Sequence, residues 1–103
     1  MTTEDILRLR DLGEISKVQF KERILDKYDI ACELVAMSNY RGGQLVIGIN
    51  DKTGEFNPLS YAEVQETTNM LGNIASENVV PSILLDIDTA QVEGGSVVVA
   101  TIK

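Results

Sequence analysis

The stretch "SKVQFKERI", residues 16–24, interleaves cations with apolar groups at strand spacing. Alternation along a β-strand sends Val18, Phe20, Glu22 and Ile24 to one face and Lys17, Gln19, Lys21 and Arg23 to the other. The first face is apolar apart from Glu22 near the strand end. The second holds three cations around one amide. Like-facing residues on a strand stand about 6.6 Å apart, close to the spacing of successive phosphates along a nucleic-acid strand. The chemistry open to this face is contact with a phosphate backbone. A structural reading stands beside it, since lysines on an edge strand are solvated and discourage aggregation.

A second group lies in "SNYRGGQ". Arg41 is a further cation, directly ahead of Gly42 and Gly43. The two glycines either form part of a phosphate-contacting loop or serve as a helix exit that needs a left-handed backbone. They lack the Gly-Lys-Ser/Thr ending of a P-loop. Asn39 and Asp51 either contact a ligand or hold their own local turns. Cys32 reads as a small core residue on a helix.

The chain has no histidine, which removes the usual imidazole base, the Ser-His and Cys-His pairs and nearly all zinc sites. Catalysis here would have to run on carboxylates, with a divalent metal. The single cysteine excludes an internal disulfide and fits a reducing compartment. The N-terminus has no signal-peptide core and no apolar run is long enough for a membrane span, so a cytoplasmic location is expected.

Net charge is -7, and it is uneven. Residues 1–52 carry eight Lys and Arg against nine acids, whereas residues 53–103 carry only Lys103 against seven. An acidic body repels phosphate backbones in general, so any nucleic-acid contact falls to a local patch in the first half.

These residues need elements to hold them. At 103 residues the chain is expected to form one domain with one core. "TTEDILRLRDLG" predicts a short helix capped by Thr2 or Thr3 and ending at Gly13. The strand over 17–23 follows. A second helix over "KYDIACELVAMSNYRGG" takes Asp29 as N-cap and Ile30, Leu34, Val35 and Met37 as its apolar face. "QLVIGIN", 44–50, is almost continuously apolar, the pattern of a central strand covered on both faces. Ser60 with Glu63 is a capping box opening a helix of about sixteen to nineteen residues, with Val64, Thr68, Leu71 and Ala75 on one face. "SILLDIDT", a glycine turn and "VVVATIK" make a closing hairpin. The order α-β-α-β-α-β-β predicts an α+β domain with a mixed sheet, its helix-linked strands parallel and its hairpin antiparallel. The last strand runs to Lys103 without a terminating turn. This suggests an N-terminal domain of a longer protein, with an exposed sheet edge that further domains or a second copy could pair with.

The run "E-x4-Q-F-K-E" at 14–22, then "ELVAMSNYRGGQLVIGINDKTGE" at 33–55, then the helix ending before Pro81, resembles the Schlafen-type AlbA-like domain across essentially the whole chain. Asn39 through Asp51 carry the most specific part. The resemblance implies an AlbA-like fold and a DNA-binding role at the N-terminus of bacterial transcriptional regulators or helicase-like ATP-binding proteins. Schlafen nucleases cleave RNA with three carboxylates, and the resemblance carries those positions onto Glu14, Gln19 and Asp51. The middle one is an amide here. A Gln offers a metal one neutral carbonyl in place of an anionic oxygen, so the departure argues against cleavage.

The sequence therefore predicts a domain that contacts DNA or RNA phosphates weakly and salt-dependently through Lys17, Lys21, Arg23, Asn39, Arg41, Gly42 and Gly43, with no cofactor and no metal. Two alternatives remain open: a metal-dependent RNase with Glu14, Gln19 and Asp51 as a degraded site, and a dimerisation or interaction module with no nucleic-acid role.

Overall fold

A computed structural model describes residues 2–12, 18–39, 42–78 and 84–102. The chain runs α1 (Thr3–Leu12), β1 (Val18–Lys21), α2 (Lys27–Asn39), β2 (Gly43–Ile47), α3 (Tyr61–Asn73), a π-helical turn (Ile74–Asn78), β3 (Leu85–Val92) and β4 (Gly95–Ile102). This is the expected α+β order. The four strands form one mixed sheet in the order β1-β2-β4-β3. β1 and β2 are parallel, and β2–β4 and β3–β4 are antiparallel. A parallel pair needs a crossover long enough to reverse the chain twice, and α2 supplies it. The two-residue turn Glu93-Gly94 closes the β3–β4 hairpin.

β4 lies inside the sheet, between β2 and β3. The exposed edge expected of the last strand is therefore not there: the edges are β1 and β3. β4 is continuously apolar, with Val97 and Val99 buried on one face and Val98 and Ala100 on the other, the pattern of a strand inside a covered sheet.

Both faces of the sheet are covered. Leu45, Ile47, Val98, Ala100 and Ile102 pack with Ile30, Leu34 and Met37 of α2 and with Leu71, Ile74 and Ala75. On the opposite face Ile6 of α1 packs with Val18, Phe20, Val46, Ile49, Val97 and Val99. β2 supplies Leu45, Val46 and Ile47, each fully buried, as its continuous apolar run predicts.

Local chemistry sets the helix starts. Thr2 Oγ1 accepts from the Asp5 N–H while Asp5 Oδ2 accepts from the Thr2 N–H, both at 3.1 Å. Ser60 and Glu63 form the predicted capping box. α2 begins before the expected Asp29: Asp26 Oδ1 accepts from the Tyr28 N–H at 2.9 Å, so Asp26 caps the helix. The predicted extent of α3 is divided between thirteen α-helical residues and the π-helical turn that continues them.

Two side chains on α2 lie elsewhere than expected. Cys32 is exposed rather than in the core, and Val35, assigned to the apolar face, is 40% exposed. The buried face is Ile30, Ala31, Leu34 and Met37.

Candidate nucleic-acid interface

β1 is four residues long, not seven. Its alternation holds where it exists: Val18 and Phe20 are buried and Gln19 and Lys21 are partly exposed. Gln19 is in register with Leu45 and Lys21 with Ile47, so both sit on the sheet face that α2 covers, at its edge. Beyond Lys21 the strand stops. Ile24 packs against the same core as α2 and not beside Val18 and Phe20, and Glu22 and Arg23 enter a hydrogen-bonded network that shares Asn57.

The basic row does not stand unneutralised. The Lys21 ammonium lies 3.2 Å from Glu33 Oε1 on α2. The other oxygen, Glu33 Oε2, is buried with no hydrogen-bond partner among the described residues. Arg23 is held more fully. Its Nε donates to Glu63 Oε2 at 3.1 Å, its Nη1 to the carbonyls of Glu22 (2.6 Å) and Asn57 (2.7 Å), and its Nη2 to the Pro58 carbonyl (3.1 Å). This fork ties the end of β1 to the start of α3, and the guanidinium geometry suits it to that task. Lys17, the third cation of the row, and Arg41 lie outside the described residues.

Gly42 and Gly43 lie where α2 hands over to β2. Gly42 has φ 103°, and its N–H donates to the Met37 carbonyl at 2.7 Å. That conformation closes the helix in the manner of a left-handed C-cap, which a side chain would strain. Asn39, the last residue of α2, is exposed. Asn39, Gly42 and Gly43 thus share one end of the β1–β2 pair with Val18, whose register partner is Gln44. Lys21 and Arg23 belong to the opposite end.

Of the three carboxylate positions, two are described. Glu14 lies outside the described residues. Gln19 sits mid-strand and Asp51 is exposed in the turn after β2. The acid that this turn reaches is Glu22. Its Oε2 accepts from Asn57 Nδ2 at 2.9 Å and its Oε1 accepts from Asn50 Nδ2. Asn50 Oδ1 in turn accepts from the N–H groups of Lys52 and Thr53 at 2.8 and 2.9 Å. The amide donors of Asn57 and Asn50 hold the Glu22 carboxyl below its ordinary range. A cavity of about 210 Å³ opens here, lined by Glu22, Asn50, Thr53, Glu55, Phe56 and Asn57. Among the described residues, no three acidic or cysteine side chains converge as metal ligands do.

Sequence reasoning missed Glu33, Glu63, Asn50 and Asn57 as partners of the basic strand. Glu63 carried a signal as a capping-box residue, but nothing local announces that its carboxylate also takes Arg23, forty residues away. Glu22 did stand out, as the one charge on an otherwise apolar face.

A mixed sheet with helices on both faces, and with a parallel pair formed by one edge strand and its neighbour, is the class of domain this geometry defines. The sequence profile of the family described as Schlafen, AlbA_2 matches residues 14–103, and the chain belongs to that family. Membership suggests a nucleic-acid-related domain. No curated protein matches the chain significantly. No helix among the described residues is long and apolar enough to cross a membrane.

Proposed function

We propose that the chain is a nucleic-acid-binding domain of a bacterial transcriptional regulator that contacts phosphates without reading bases, and that it binds rather than cuts. One observation carries the reading: the parallel register Val18↔Gln44 sets the segments that follow Lys17 and Arg41 side by side. Lys17 immediately precedes Val18, and Arg41 immediately precedes Gly42. Asn39 offers a neutral polar side chain to the same phosphates, while the Gly42 N–H is already given to the Met37 carbonyl. Lys21 and Arg23, by contrast, already have carboxylate partners, so they contribute only where a phosphate displaces Glu33 or Glu63.

Non-cleavage rests on Gln19. An amide in the middle of the strand leaves a divalent cation short of one anionic oxygen, and magnesium gives up its waters reluctantly. Binding is weak because few cations act from an acidic body, and it falls steeply with salt.

Fluorescence anisotropy of labelled DNA and RNA oligonucleotides across a salt series tests both parts. The log–log slope should correspond to about two phosphate contacts, near −1.8 on duplex DNA at about −0.9 per contact. Lys17→Glu with Arg41→Glu should remove binding, and Lys21→Gln should change it little. Equal losses from Lys21→Gln and from the double reversal would sink the assignment of the site. Metal-dependent cleavage that vanishes in Glu14→Gln would sink the claim that the domain only binds.

A further inference from the structure

α2 is apolar on two sides. Ile30, Leu34 and Met37 face the core, while Tyr28, Cys32, Val35 and Asn39 follow one another at four, three and four residues on the outside. That spacing draws a single stripe along a helix. Tyr28 is 74% exposed and Val35 40%, and Cys32 and Ala36 beside them are exposed too. No charge interrupts the stripe, although 24% of the chain is charged. Cys32 and Ala36 are small, so the middle of the stripe admits close approach of another backbone.

Leu25, just ahead of the helix, is a further exposed apolar side chain at the helix start. With Asp26 as the cap, Leu25 occupies the position that ordinarily folds back as a hydrophobic staple onto the fourth helical residue, here Ile30. It does not, being 94% exposed. Two residues earlier, Arg23 is fastened to the start of α3.

We propose that Leu25, Tyr28, Cys32 and Val35 form the docking stripe for an amphipathic helix with basic flanks, supplied by a partner protein. Tyr28, Cys32 and Val35 line one face of α2, a ridge that another helix can pack against. Two observations choose this occupant over a second copy of the chain. The stripe offers on the order of 500 Å², with Tyr28 its largest part, against about 800 Å² per partner in a standard stable interface. A net charge of -7 repels a second copy and attracts a cationic partner. The rim agrees, since Asp26 and Asp29 outnumber Lys27 along it, Glu33 being paired with Lys21. The inference is independent of any nucleic-acid role.

A Leu/Lys amphipathic helical peptide is the probe, and Cys32, the single cysteine of the chain, reports where it lands. The peptide should bind, slow the alkylation of Cys32, and lose at least about tenfold in affinity against Tyr28→Ser/Val35→Ser, which keeps every charge. Leu25→Ser, which alters no helical residue, should weaken it in the same direction. A Leu/Glu peptide of the same pattern should not bind. Binding that ignores these substitutions, or that leaves Cys32 alkylation unchanged, would overturn the proposal. So would sedimentation as a dimer that Tyr28→Ser/Val35→Ser dissociates, because the occupant would then be a second copy.

Discussion

At Lys21 the ammonium that a phosphate would seek already lies 3.2 Å from a carboxylate. Both partners are partly exposed, and such pairs contribute about 0.2–1 kcal/mol. A phosphate must compete for Lys21 against Glu33, and it must also approach Glu33 Oε2, which has no donor of its own among the described residues. Glu33→Gln should therefore tighten oligonucleotide binding roughly two- to fivefold, by freeing Lys21 from a competitor of about that strength. Anisotropy titration at fixed salt reads the change; weaker binding would mean that Glu33 positions Lys21 for its ligand. Glu22 makes the opposite case, a charge fully used inside the fold. Its carboxyl titrates below the ordinary value because Asn57 and Asn50 donate to it, and Glu63 is lowered by the Ser60 N–H and by Arg23. A depressed folded value contributes stability that is present above the ordinary Glu pKa of about 4.3 and is lost as pH falls through the lower folded one. Acid unfolding followed by circular dichroism should therefore begin below about pH 4.3, and Glu22→Gln should flatten it.

The elements behave as their local chemistry dictates until they meet one another. The start of α3 and the apolar run of β2 follow from residues within a few positions of each other. The end of β2 does not. Gly48 has φ +117°, and a Cβ there would meet Leu59 Cδ1 and Val97 Cγ1, each at 2.9 Å. Its N–H donates to the Lys21 carbonyl at 2.6 Å, and its own carbonyl accepts from the Asn57 N–H at 2.7 Å. The turn after β2 thus rests on one residue that must lack a side chain. Gly48→Ala should cost about 1–3 kcal/mol from backbone conformation alone, with the steric contacts added. Thermal unfolding of the variant checks this, at about 4–8 °C per kcal/mol for a domain of this size; an unchanged midpoint would mean that neither the positive φ nor the contacts with Leu59 and Val97 carry a cost. β1 is the counterexample to local reasoning. Its sequence alternates as far as Arg23, yet among the described residues pairing ends at Lys21, where Arg23 is drawn off to Glu63 and to the carbonyls of Asn57 and Pro58.

Across the whole molecule, charge is segregated along the chain but not left free where it gathers. Eight of the nine cations lie in residues 1–52, and the two described cations of the basic row both point into carboxylates from later elements. That is why the salt slope is expected to count few contacts despite a strongly basic run in the sequence. The strand alternation, the α-β-α-β-α-β-β order, the parallel β1–β2 pair, the Ser60 cap and the buried character of β2 were legible in the sequence, because each follows from periodicity or from groups a few residues apart. The position of β4 inside the sheet, the partners of Lys21 and Arg23, the exposure of Cys32 and Val35, and the use of Glu22 to hold two asparagines were not. Each depends on which surfaces meet after the chain has closed on itself, with partners separated by 12 residues for Lys21 and Glu33 and 40 for Arg23 and Glu63. Periodicity assigns Val35 to one apolar face of α2 with Ile30, Leu34 and Met37, whereas the structure leaves it exposed. Only tertiary packing decides which side is covered, because a sheet can bury one face of a helix and must leave the other to solvent or to a partner.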